Sequence, residues 1–268
     1  MIPPERVAAA EYAKRRVLAT VTETQFGVFV HDAAHAHRAP ATQLVDARLP
    51  SDGGAQVPDE APGAAEHGED TTVLTLLDRL DSLYDQYSFD HRILAGVDRE
   101  TFARLTPVLR KRGYDRELYW ALVPHLLDEP PDGPPGFRIE AKSHGSDDAQ
   151  AVHEAVGRSP AGIAYAADIA RALDGTELVG YRRGDPVGVA GWYVHNDGDD
   201  AVARFTHVGV HPDTEGQGIG SALVAAVVEH CPLQPGRLVV CATEGNSGFY
   251  EGLGFVRNNL LWRFARFP

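Results

Sequence analysis

His207-Val-Gly-Val-His-Pro-Asp-Thr-Glu-Gly-Gln-Gly-Ile-Gly-Ser-Ala-Leu-Val224 is the stretch on which the reading of the chain turns. Val208 to Val210 read as the end of a strand that runs into a His211-Pro212 corner. A short link leads to Gly216, Gly218 and Gly220, and then to a helix with an apolar stripe of Ile219, Ala222, Leu223, Ala226 and Val227 at the 3.6-residue period. Glycines at a strand-to-helix junction let backbone amides approach a ligand with no side chain in the way. The unpaired N–H groups of a first helical turn, added to the helix dipole, suit a phosphate or pyrophosphate. The junction therefore reads as an anion-binding turn.

A dinucleotide fingerprint would need a third glycine where Ser221 stands, and an acidic residue about twenty positions on at the end of the next strand. Glu229 comes too early, and no Gly-Lys-Ser/Thr phosphate loop occurs anywhere. Leu238 to Glu244 looks like a second strand, followed by a short helix in Gly245-Asn-Ser-Gly-Phe-Tyr-Glu-Gly-Leu-Gly-Phe255, with Gly254 suited to a left-handed residue after the helix. Val210-His-Pro212 with Glu215-Gly-Gln-Gly218-Ile-Gly220 resembles motif A of the GNAT acyl-coenzyme A transferases, and Tyr250-Glu-Gly-Leu-Gly-Phe255 resembles the end of their motif B. This chain departs from the family in carrying Glu215 where Arg or Gln is usual, and Thr243 where the motif B asparagine is usual, with Asn246 four places before Tyr250.

The resemblance implies an α+β (α/β) fold of two GNAT-like domains, each a mixed, mostly antiparallel sheet flanked by helices. In the C-terminal half it implies the order β-α-α-β-β-β-α-β-α-β-β. Its specific motifs cover residues 137–268; the first half matches by pattern alone, as α-β-β-α-β-α-β, and carries no glycine turn. The helices of the first half are expected at 5–19, 71–87 and 100–112, and its strands at 26–30, 42–46, 91–96 and 119–123. Asp128 to Gly136 holds four prolines and two glycines in nine residues, too many for a helix or a central strand. The division expected is thus 1–130, a linker at 131–136, and 137–268, with Trp262–Phe267 closing the second sheet.

The 268 residues carry 25 Lys and Arg against 38 Asp and Glu, a net charge of −13. An acidic surface argues against nucleic acid as a partner, since phosphate neutralisation needs basic groups, and it is compatible with a cationic acceptor. The start of the chain shows no basic-then-apolar leader, and no apolar run approaches a membrane span, so a cytoplasmic location is expected, as a monomer or homodimer. Two cysteines, Cys231 and Cys241, are read as reduced thiols. His31-Asp-Ala-Ala-His35-Ala-His37 reads as a polar loop rather than a metal site, because nothing near it completes a ligand set. No metal is expected. Ser51 to Asp70, with six acidic residues and no Lys or Arg, reads as a solvated loop.

The resemblance implies acetyl-coenzyme A as co-substrate and direct acetyl transfer to the amine of a small molecule. Val208, Gly209 and Val210 would serve the pantetheine arm and the thioester oxygen. Glu215, Gly216, Gln217, Gly218, Ile219, Gly220 and Ser221 would form the pyrophosphate turn, with Asn246, Phe249 and Tyr250 on the other wall. Tyr250 would protonate the departing thiolate; its other reading is packing beside Phe249. The family's usual glutamate base is Thr206 here, which leaves His207 and Glu244 as candidates, each with a structural or solvated alternative. A non-catalytic protein that binds the same ligand is the rival reading.

Overall fold

The computed structural model describes residues 1–35, 38, 41–50, 70–125, 133–196 and 198–268. In chain order the elements are α1 (Pro4–Arg16), β1 (Thr20–Thr24), β2 (Gly27–His31), β3 (Thr42–Val45), α2 (Thr71–Gln86), β4 (Arg92–Gly96), α3 (Arg99–Lys111) and β5 (Asp115–Pro124). They continue as β6 (Phe137–Lys142), α4 (Asp147–Ala155), α5 (Pro160–Ala172), β7 (Thr176–Arg182), β8 (Asp185–His195), β9 (Val202–Val210), α6 (Ile219–His230), β10 (Leu238–Thr243), α7 (Glu244–Glu251) and β11 (Phe255–Arg266). The order from β1 to β5 repeats the order from β7 to β11, as β-β-β-α-β-α-β. In both halves the first three strands are antiparallel and the third pairs in parallel with the fourth, across a helix.

Two compact units result, and they do not follow the linear division at 131–136. One comprises residues 20–117 and 262–268, the other 1–19 and 118–261. The cause is an exchange of final strands. β5, last in the first half, lies antiparallel beside β10, with Val240 opposite Leu122 and Thr243 opposite Tyr119. Trp262–Arg266 of β11, expected to close the second sheet, lies instead beside β4, with Phe264 opposite Leu94. A strand's place is fixed by the sheet edge whose backbone groups it satisfies, not by its nearest neighbour in sequence. Residues 126–132 of the proline-rich segment lie outside the described residues, as does the loop at 51–69.

In the unit of 20–117 and 262–268 the core gathers Leu76, Leu77, Leu80 and Tyr84 of α2, Phe102, Leu105 and Leu109 of α3, Leu94 and Phe264. The Tyr84 hydroxyl donates to the carbonyl oxygens of Thr42 or Ile93 and accepts from the Ile93 amide, so it ties β3 to β4. β1 escapes the hydrophobic pattern because four of the five residues of Thr20-Val-Thr-Glu-Thr24 are polar and the strand is mostly exposed, Val21 included.

In the other unit, β6 to β9 form an antiparallel run joined to β10 in parallel. The β7–β8 hairpin turns through Arg183 and Gly184, both at positive φ, as a tight two-residue turn requires. α6 covers one face, burying Ile219, Leu223 and Val227 against Leu178, Ala190, Ala203 and Phe205. Each such side chain contributes about 1.5–3 kcal/mol. α4 covers the other face through Ala149 and Val152 on Val179, Tyr181 and Val189.

Candidate active site

β9 and β10 are paired only at Ala203–Leu238 and Arg204–Val239, after which they part. Beyond that point β9 continues to Val210 held by β8, with Val208 opposite Ala190 and Val210 opposite Gly188, while β10 turns to β5. Between the diverging strands lies a cleft of about 870 Å³. Its walls contain Val208, Gly209 and Val210 of β9, Thr214 to Gly216 and Gly218 to Ser221 of the glycine turn, Cys241 to Thr243 of β10, and Asn246, Phe249 and Tyr250 of α7. Tyr119, from β5, completes it. Tyr119 could not be read from sequence, because only the exchanged pairing of β5 with β10 brings it there.

The glycine turn has the conformation its residues suggest. Gly216 and Gly218 sit at φ 72° and 82°, a region open to glycine at little cost. Gly218 is the N-cap of α6, and no side chain among the described residues caps that helix. The first-turn amides thus have no intrahelical partner, and the residues that carry them line the cleft. The corresponding helix of the first half, α2, is finished differently. Its N-cap Asp70 accepts from the amides of Thr72 and Val73 and pairs with Arg104 at 2.8 Å. That helix start already holds a carboxylate, whereas the start of α6 holds none.

Of the residues expected in the site, three lie elsewhere. Gln217 is exposed and bonded to Arg182 outside the cleft lining. Glu244 opens α7 with its side chain two-thirds exposed, accepting from the Trp120 indole and from Arg257 at 3.2 Å. Each carboxylate oxygen thus has a partner, and Glu244 is not among the residues that line the cleft. His207 is buried on the α4 face. A bulge between β8 and β9 makes Thr206 an extra residue and reverses the alternation, so Phe205 and Val208 share the α6 face. Burial pushes the His207 imidazole down to about 4, against the opposing pull of Glu177. It is neutral at pH 7 and outside the cleft lining.

Two titratable groups that do line the cleft are raised by burial. The Cys241 thiol is pushed up to about 12, which keeps it protonated and a poor nucleophile; Cys241 and Cys231 are both unbridged. The Tyr250 phenol is also raised, so it holds its proton throughout the neutral range. Its ring packs edge-to-face on Phe249 and Phe255, at 5.0 and 5.7 Å. Gly254 takes the left-handed conformation expected after α7, at φ 84°.

Residues 174–257 match the family model described as the acetyltransferase (GNAT) domain. That segment is a GNAT domain. The whole chain is similar in fold to a GCN5-related N-acetyltransferase from Kribbella flavida, with 18% identity, 99% of this chain and 96% of that one covered, and a TM-score of 0.65. A conserved protein of unknown function from Staphylococcus epidermidis superposes at a TM-score of 0.67, with 14% identity over 95% of this chain and 96% of the other. A tandem GNAT protein from the clavulanic acid biosynthesis pathway gives 0.53, at 16% identity, over 72% and 69%. Comparison with curated proteins finds no match. The GNAT domain and its repeated, strand-exchanged partner make this a tandem GNAT fold. Among the described residues no helix is long and apolar enough to cross a membrane.

Proposed function

We propose that this tandem GNAT protein transfers the acetyl group of acetyl-coenzyme A to the amine of a small molecule. The observation that carries this is the uncapped start of α6 opening onto the edge that β9 leaves free where it parts from β10. The pyrophosphate would meet the amides of Gly218 to Ser221, where fixed N–H groups and the helix dipole favour negative charge. The pantetheine arm would run along Val208 to Val210, and the thioester oxygen would take a backbone N–H from that edge. Asn246 and Phe249 would form the facing wall. Tyr250 would give its proton to the departing thiolate. A protonated Cys241 supports direct attack by the amine on the thioester rather than an acyl-cysteine intermediate. With Glu244 engaged and His207 outside the cleft lining, the amine would lose its proton to water. The net charge of −13 favours a cationic acceptor and disfavours nucleic acid.

Saturating acetyl-coenzyme A is expected to raise the melting temperature. At a ligand concentration 100 times Kd the native state gains about 2.7 kcal/mol, which corresponds to a rise of roughly 5–10 °C for a chain of this size. No shift at millimolar ligand sinks the reading. The rival, a binder without turnover, is favoured by Glu215, a carboxylate on the cleft wall beside the anion turn. A rise in melting temperature with no thiol release across a panel of amines would support it.

Glu215→Gln removes that charge and is expected to tighten acetyl-coenzyme A binding by about 1 kcal/mol, roughly fivefold, more at low salt than at high. Calorimetric titration at two ionic strengths checks both the sign and the salt dependence. An unchanged Kd would place the carboxylate away from the pyrophosphate.

A further inference from the structure

On the face of the sheet covered by α4, side chains from three elements converge: His153 of α4, Glu177 of β7 and His207 of β9. We propose that they form a binding site for a divalent zinc-like cation, independent of the acyl-transfer reading. One ligand atom from each lies within 4.8 Å of the other two. Their side chains are only 5–6% exposed.

The distances decide between an ion site and a hydrogen-bonded cluster. Glu177 Oε1 stands 3.6 Å from His153 Nε2 and 3.5 Å from His207 Nε2. Hydrogen bonds from imidazole to carboxylate close to about 2.7–3.2 Å, and neither gap does. Ligand atoms about 2.0–2.1 Å from a tetrahedral zinc ion are separated by about 3.4 Å, close to both gaps. Among the described residues His207 Nε2 has no hydrogen-bond partner, and it faces Glu177. Leaving such a group unsatisfied in the interior is costly, and a cation between it and the carboxylate would satisfy both.

The surrounding bonds orient the set. His207 Nδ1 lies 3.0 Å from Thr206 Oγ1, the residue inserted by the bulge, so a proton on Nδ1 leaves the Nε2 lone pair turned inward. Glu177 Oε2 accepts from the Gly145 amide at 3.3 Å, which leaves Oε1 for the ion. Two imidazoles and one carboxylate match zinc and its first-row neighbours; calcium and magnesium prefer oxygen alone. Three protein ligands leave a fourth position for water or a small donor. The cation would pin α4 and β7 to β9 one residue before Val208, where the cleft wall begins.

The test strips the full-length protein with a chelator and titrates it with Co2+, then Zn2+, following visible cobalt absorption and melting temperature. One Co2+ per chain with the intense band of a low-coordinate site, displaced by one Zn2+, together with a rise in melting temperature on adding Zn2+, is expected. His153→Ala, Glu177→Gln and His207→Ala should each weaken binding by about 100-fold. Since a core variant can fail to fold, His207→Cys supplies a gain of signal, a thiolate-to-cobalt charge-transfer band that the wild-type protein lacks. The proposal is overturned if the stripped wild type shows neither the band nor the thermal response, or if binding survives all three single substitutions unchanged.

Discussion

Tyr250→Phe is expected to lower kcat for acetyl transfer by about 100-fold or more, the usual cost of losing a positioned general acid, while the KM for acetyl-coenzyme A stays within about twofold. The substitution keeps the ring, so the edge-to-face contacts with Phe249 and Phe255 survive and the fold should not move. Only the hydroxyl, with the proton it would donate, is removed. Burial raises the phenol above its ordinary value of 10, and the proposed role uses its protonated form. Loss of this acid therefore sets in only as pH rises through that raised value, and the wild-type rate should show no basic limb from Tyr250 at pH 9 or below. Thiol release with a competent amine, measured for both proteins across that range, provides the check. A kcat reduced less than threefold would return Tyr250 to a packing role.

Arg204→Ala is expected to cost up to about 3–5 kcal/mol of stability, because it leaves a largely buried carboxylate to Lys14 alone among the cations bonded to it. Arg204 of β9 reaches Glu11 of α1 through two bonds, Nε at 2.7 Å and Nη2 at 2.5 Å, with side chains 6% and 15% exposed. Alongside, Tyr193 donates to the Ala10 carbonyl oxygen, so α1 is anchored at two points. A fall in melting temperature of roughly 6–20 °C follows for a chain of this size. The pH dependence gives a second readout. Burial alone would raise the Glu11 carboxyl, but Arg204, Lys14 and Arg15 together outweigh it and hold the group well below 4.5. A carboxyl depressed in the folded state stabilises the protein fully above its unfolded value. That contribution is lost as pH falls from about 4.5 toward the folded value. Removing Arg204 should flatten this acid limb as well as lower the plateau. A loss under 1 kcal/mol with an unchanged acid limb would show the pair to be dispensable.

Much of the candidate site was legible because its signals are local. The three glycines and the apolar stripe of α6 specify a strand-to-helix turn within eighteen residues, and 84 residues around them match the GNAT family model. Tyr250 and Gly254 are fixed by a short helix and its stop. What escaped the sequence depends on pairing at long range. Tyr119 enters the cleft wall from the first half of the chain through the exchange of β5 and β11. Alternation already sets His207 on the face opposite Val208 and Val210, and the structure keeps it there; what the local sequence lacks is which of the two faces borders the cleft.

By itself the sequence determined the chemistry a single turn can offer: glycines without side chains, an uncapped helix start, and an aromatic hydroxyl behind it. Backbone conformation over a few residues is governed by sterics that each residue carries with it. Tertiary structure alone decided which strand edges meet, which face His207 takes, and that two imidazoles and a carboxylate from α4, β7 and β9 come within reach of one ion. Those outcomes depend on satisfying backbone groups and apolar faces across the whole sheet, a condition that no local stretch contains.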